Sequence, residues 1–522
     1  MRMNLMAKTL AVSLVFFCLA AAAAADVKLP PVISSHAVLQ REMEVPIWGM
    51  AEPGEKVTVK FCDQEKSAVA DAQGKWLIKL DPLKAGGPFT LCVIGKNTLT
   101  LDDVLVGEVW VGSGQSNMAA GYFPLAGYVK NDEVLAKLAA ANHPKLRLKK
   151  SGAQGWQEAT PQNNGGFSAM LFAFGAPLQQ ELDVPVGLML GAVDGTPSGY
   201  LLSQEAYKSD AACKEVAKKP AVAVLVEQAR KNYEQALANW EKEVAAAKQK
   251  GEKGLPRKPA PPPKPGESWG TIGKHYEAHI RPFIPYGIRG VLWDQGESGT
   301  AIQGVDQYTL MGALIRGWRK DWGQGDFPFI YVQKPSGGGC AWDPADPVTS
   351  RAEKFAPLPS KVPGLNDGDY RETHIRIMQY SNTAMATSSD LGPGVHPVGK
   401  SGYGARAARV ALGMVYGKKL EIYGPLYQSH QVEGNKVRVR FTHVGQGLAA
   451  RHGEKLQGFT VAGADKVFHW ADAAIDGDTV VVSSPAVKEP VAVRYAWADT
   501  HPWANLFNKD GLPALSFRSD SW

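Results

Sequence analysis

Residues 104–118, VLVGEVWVGSGQSNM, decide how the chain is read. Val104 to Val111 form a near-continuous apolar run, as expected of a strand buried on both faces rather than one with a wet side. The run then passes through Gly112, Ser113 and Gly114 and stops on Ser116 between Gln115 and Asn117. A hydroxyl where a strand becomes a turn is a recognised way to expose a nucleophile. Met118 stands where the second glycine of G-x-S-x-G would be, so Ser116 fails that pattern. Taken alone, a serine in this setting is more often a turn or helix-capping residue than a nucleophile.

Further strands of the same kind follow: PVGLMLGAV (185–193), GIRGVLWDQGE (287–297) and FPFIYVQKP (327–335). Between them, FSAMLFAFGAPLQQEL (167–182) and YTLMGALIRGWRKDW (308–322) show helical periodicity. Apolar strands alternating with helices predict an α/β unit, a parallel sheet with helices on both faces. Ligands of such sheets bind beyond the carboxyl ends of the strands, so the polar groups following each strand are the candidates.

Outward from this centre the pattern changes. Residues 26–103 alternate short apolar runs with the turn signals EPGE, DAQGK and KAGGP, which predicts an N-terminal β-sandwich. Residues 416–522 return to strand-like runs such as KVRVRFTHV and TVVVSS, a C-terminal β domain. The α/β unit spans 104–415 and is interrupted at 205–270 by a long helical stretch and a proline-rich one. The proline-rich part is expected to be an extended surface spacer.

The first 25 residues place Arg2 and Lys8 ahead of an apolar run and end on Ala23-Ala24-Ala25, the form of a secretory signal peptide. Phe17 is too bulky to make Cys18 a lipidation site. The expected location is therefore periplasmic or extracellular, without a membrane span, since no later stretch approaches the roughly 18 apolar residues required. The formal charge of +6 includes the two leader cations, leaving about +4, too little over this length to indicate a nucleic-acid partner. Cys62 and Cys92 lie in strand-like runs and are read either as a bridge or as free thiols; no cysteine or histidine spacing suggests a metal, and no cofactor is expected.

Three polar clusters carry candidate chemistry: Gln115-Ser116-Asn117; Asp294-Gln295-Gly296-Glu297 after GVLW; and DLGPGVHPVGK, with His396 ahead of a closing helix. A serine hydroxyl needs a base to accept its proton, and a histidine arriving last in chain order is placed to supply one. A glutamine amide at a strand end can donate to a developing oxyanion.

Together, VWVGSGQSNM, GVLWDQGES and DLGPGVHPVGK resemble the sialate O-acetylesterase family of SGNH-type carbohydrate esterases. The resemblance extends to AVLQREMEVPIWGMAEPGEKVTV, VPVGLMLGAVDGTP and ADTHPWANLFNKDGLPALSFRSD, nearly the whole chain after the leader apart from the insertion. It implies an SGNH-hydrolase-like sheet flanked by two β-sandwich domains, and a secreted O-acetylesterase acting on sialic acid through an acyl-serine intermediate. Ser116 becomes the nucleophile and His396 the base. The oxyanion donors would be the Ser116 and Gly195 backbone N–H groups and the Gln295 amide. Gln115, Asn117, Asp294 and Glu297 fall on the substrate side.

The chain departs from the family where an aspartate usually stands shortly before the histidine: Pro393, Gly394 and Val395 occupy that place. The acid would then be Asp390, or Glu297, or the pair would act as a dyad. Asp294 and Gly299 stand where the family more often has Tyr and Asn, which bears on sugar specificity. Acetylated xylan or another glycan is the alternative substrate, and an inactive glycan-binding protein the alternative outside catalysis. Oligomeric state is not legible.

Overall fold

The computed structural model describes residues 26–119, 124–252, 254–453 and 455–522; the leader at 1–25 lies outside the described residues. Its centre is a parallel sheet built from β1 (Thr98–Gly114), β2 (His143–Lys150), β3 (Val186–Ala192), β4 (Gly290–Asp294), β5 (Phe329–Val332) and β6 (Thr383–Ala386). The spatial order is β6-β5-β4-β1-β3-β2, with the short strand Gln157–Ala159 antiparallel at the β2 edge.

Side-chain alternation along β1 explains why helices cover both faces. Trp110 and Gly112 point to one face. Trp110 meets Phe174 edge-on at 5.1 Å, and a Cβ on Gly112 would stand 2.5 Å from Leu171. Both partners belong to α1 (Ala169–Leu182), which starts at Ser168, whose hydroxyl accepts from the Leu171 N–H. Ser113 points to the other face in register with Trp293 of β4. Trp293 packs at 6.0 Å against Trp318 of α3 (Gln307–Trp322). On that face α4 (Asp369–Ile377) joins α3, while α5 (Lys400–Met414) packs beside α1 on the opposite face. On α5, Gly404 leaves no room for a Cβ against Ala173 of α1.

The insertion forms α2 (Pro220–Gln249), a mostly exposed helix of 30 residues. The proline-rich stretch after it doubles back along α2: the Trp240 indole donates to the Pro256 carbonyl at 2.8 Å, and Lys258 lies over the Trp240 ring.

The two β regions are built differently. At the N-terminal end, Gly86–Ile94 pairs antiparallel with the first half of β1, and Val38–Gln40 pairs parallel with its Leu105–Gly107 portion. A second sheet pairs Val45–Met50 with Lys75–Leu80. The expected boundary at residue 103 therefore falls inside one continuous strand, and one apolar core runs from Val57 and Phe61 through Val109 to Leu171. At the C-terminal end, two four-stranded antiparallel sheets enclose a separate core that includes Val439, Phe459, Val480 and Val493.

Cys62, Cys92, Cys213 and Cys340 are all free thiols. No described helix is long and apolar enough to cross a membrane.

Candidate active site

Register brings the three strand ends together. Gly114 of β1 lies opposite Ala192 of β3 on one side and Asp294 of β4 on the other. Ser116, Gly195 and Gln295 therefore all emerge within three residues of one line across the sheet. Gly114 cannot be replaced here: its φ is +132°, and a Cβ would stand 2.0 Å from the Asp294 carbonyl oxygen. The Gln115 N–H donates to that same oxygen at 2.9 Å, and the Met118 and Ala119 N–H groups close the turn onto Gln115 O.

This turn presents Ser116 to His396, with Ser116 Oγ 2.9 Å from His396 Nε2. His396 arrives on an exposed loop containing Gly392 (φ +97°) and Gly394 (φ +100°). Burial and the Lys400 ammonium lower the imidazole's pKa, while the Glu297 carboxylate acts in the opposite sense. Gly195 has φ +61°, with nothing within 4 Å of where a Cβ would stand. Neither the Ser116 N–H nor the Gly195 N–H has a backbone acceptor among the described residues, leaving both for an oxyanion.

Asp390, the expected acid, is placed elsewhere. It is fully buried, and its two oxygens accept from the Arg406 guanidinium of α5 at 3.0 and 2.8 Å. The planar fork of an arginine matches a carboxylate on two bonds at once, and this partner commits Asp390 to the support of the loop. Glu297, the alternative, lies closer to the chemistry. Its Oε1 accepts from Asn117 Nδ2 at 2.9 Å and sits 2.7 Å from Lys334 Nζ.

Gln295 is held within its own turn and by the next helix. It is buried, its Nε2 donates to Gly299 O at 2.8 Å, and its Oε1 accepts from Gln307 at 3.0 Å. It thus braces the 295–299 turn with one of its two amide hydrogens, and the Ser116 and Gly195 backbone N–H groups are the other candidate oxyanion donors. Among the residues expected on the substrate side, Gln115 is buried and accepts from the Ser298 N–H. Asp294 is buried beneath the site and faces Lys334 Nζ at 2.8 Å. Burial raises its pKa and Lys334 opposes that shift. Glu297 alone of the four keeps a partly exposed side chain.

Two buried lysines were not singled out from the sequence. Lys334 follows β5 and lies between Asp294 and Glu297; burial disfavours its charge, but the two carboxylates raise its pKa above the usual lysine value. Lys400, the first residue of α5, is fully buried, and burial pushes its pKa down to about 7 despite Asp294. A cation at a helix N-terminus runs against the helix dipole, and that was the legible signal in HPVGK. On α4, the Tyr370 hydroxyl donates to Gly296 O. Nearby His374 is buried and held neutral, its pKa down to about 3 through burial and Lys334.

No family model matches the chain. Among individual proteins, it is 26% identical to the sialate O-acetylesterases of Rattus norvegicus and Homo sapiens, over 89% of this chain and 88% and 86% of theirs. Among solved structures, it is similar to a carbohydrate acetylesterase from Xanthomonas citri at 29% identity, with a TM-score of 0.70, covering 95% of this chain and 100% of that one.

Proposed function

We propose that this carbohydrate acetylesterase is exported and removes O-acetyl groups from sialic acid through an acetyl-Ser116 intermediate. The observation that carries the mechanism is the 2.9 Å contact between Ser116 Oγ and His396 Nε2 at the carboxyl ends of β1, β3 and β4. Sialic acid as the substrate is supported by the names of the curated relatives. Export is supported by the composition of the leader.

Ser116 donates its proton to His396 as Oγ attacks the acetyl carbonyl carbon. With its pKa lowered, the imidazole is unprotonated near neutral pH and ready to accept. The carbonyl π electrons move onto oxygen, and the resulting oxyanion accepts from the Ser116 and Gly195 N–H groups. Each such donor contributes about 3 kcal/mol to the barrier reduction. The tetrahedral intermediate expels the sugar oxygen, which takes the proton from His396. Water, deprotonated by the same imidazole, then attacks the acetyl-serine, releasing acetate and restoring the Ser116 hydroxyl.

Ser116→Ala should lower acetate release from an aryl acetate by roughly 10⁴- to 10⁶-fold with the fold intact, and near-wild-type turnover would sink the mechanism. Acetate release from O-acetyl sialic acid, measured beside acetylated xylan, decides the sugar. A clear preference for xylan would replace the sialate reading while leaving the ester chemistry standing.

A further inference from the structure

Asn117 reads from the sequence as a substrate-side residue, yet it is 2% exposed. Its Nδ2 donates to Glu297 Oε1 at 2.9 Å and to Val395 O at 3.0 Å, and its Oδ1 accepts from Lys400 Nζ at 2.5 Å. Chemistry fixes that orientation. A carboxylate and a backbone carbonyl only accept, so a flipped amide would lose both of its donor contacts. The side chain next to Ser116 therefore joins three separate pieces of chain: the turn after β4, the loop carrying His396, and the first residue of α5.

The histidine loop needs such a tie. Gly392 and Gly394 both have positive φ, and residues 393–396 are exposed. Among the described residues, no backbone–backbone hydrogen bond involves residues 393–395. The carbonyl that Asn117 holds belongs to Val395, immediately before His396. The other ends of the strut are anchored in turn: Glu297 on Lys334, and Lys400 at the start of a buried helix.

We propose that Asn117 is a positioning residue: by pinning Val395 O to the nucleophile turn, it sets the His396 imidazole over Ser116. This rests on the Ser116–His396 reading above. It gives the asparagine a role in the rate of the chemical step rather than in sugar binding. A hydrogen-bond error of about 1 Å in such a pair costs on the order of a hundredfold in rate.

Asn117→Asp is nearly isosteric. It keeps the Lys400 contact, removes both donor bonds and turns a carboxylate oxygen toward Glu297 and Val395 O. With an aryl acetate, and with active sites counted by fluorophosphonate labelling taken to completion, kcat per labelled serine should fall on the order of tenfold to a hundredfold. KM should stay within about threefold. The added negative charge favours the imidazolium, so the acid limb of kcat/KM should move to higher pH. Asn117→Ala, which adds no charge, should lose kcat similarly with a smaller move of that limb, and it serves as the comparison if the aspartate variant does not fold. A kcat per labelled serine and an acid limb both matching wild type would overturn the proposal, as would a rise in KM alone. If Ser116→Ala is itself active, the catalytic reading fails first; if it is inactive while the Asn117 variants turn over normally, only the positioning role fails.

Discussion

The N-terminal and C-terminal β regions flank the α/β layer symmetrically in sequence and attach to it in opposite ways. The first shares a strand with it: β1 is laddered to Gly86–Ile94 in its first half and to β3 and β4 in its second. The second keeps its own core and reaches the site through loops. Its contact centres on Arg371 of α4, fully buried, whose Nη2 donates to Gly337 O at 2.9 Å and to Asp499 O at 2.6 Å. The His501 N–H adds a bond to Gly338 O at 2.7 Å. Residues 337–339 follow shortly after Lys334, and Gly337 packs directly against Gly392 of the histidine loop. One β region is thus continuous with the nucleophile, while the other props the loops that carry its partners. Similar composition conceals a difference between covalent continuity and contact.

The sharpest way to break this comparison is at the shared strand. Gly114→Ala forces a Cβ into the Asp294 carbonyl at a positive φ and should cost more than about 4 kcal/mol, removing soluble enzyme and esterase activity together. An active, folded Gly114→Ala protein would show that the strand end tolerates displacement. At the loop contact a smaller and separable effect is expected. Arg371→Met leaves the Gly337 and Asp499 carbonyls without their donor, at about 2–4 kcal/mol, and loosens the loop next to Lys334. Thermal unfolding should then split, with the C-terminal transition moving down, while kcat falls several-fold. A single unshifted transition would mean that Arg371 does not couple the two parts. The smallest effect belongs to the outer tie, where Arg518 pairs with Glu372 at the partly exposed edge of α4. Arg518→Gln should cost about 0.5–1 kcal/mol in denaturant unfolding and leave kcat unchanged.

The sequence was most legible where local chemistry and register coincide. Ser116 and His396 lie 280 residues apart and meet because a strand end and a loop before a helix each carry a local signature. The parallel layer was readable from buried runs such as Val104–Val111, and the insertion helix from its periodicity. Long-range pairing was not readable. Nothing in DLGPGVHP indicates that Asp390 is claimed by Arg406 on the next helix, or that Gln295 closes on Gly299 and Gln307. Lys334 sat at a strand end like the other site residues, but a lone lysine before proline carries no signal until the two carboxylates around it are known. Residue 103 falls within β1 for a related reason. A change of hydrophobic period marks where a strand's environment changes, and β1 changes environment without ending.

That uninterrupted strand also bears on how the molecule carries load. Force that reaches Thr98 runs along the axis of β1, so the hydrogen bonds to β3 and β4 are loaded in shear and resist together. The nucleophile turn lies at the far end of that line, beyond the last shared bond, where little of the force arrives. Traction from the amino side therefore meets the six described short strands that precede β1 before it reaches the serine's strand, whereas traction on Trp522 is taken first by the separate C-terminal core and its loop contacts.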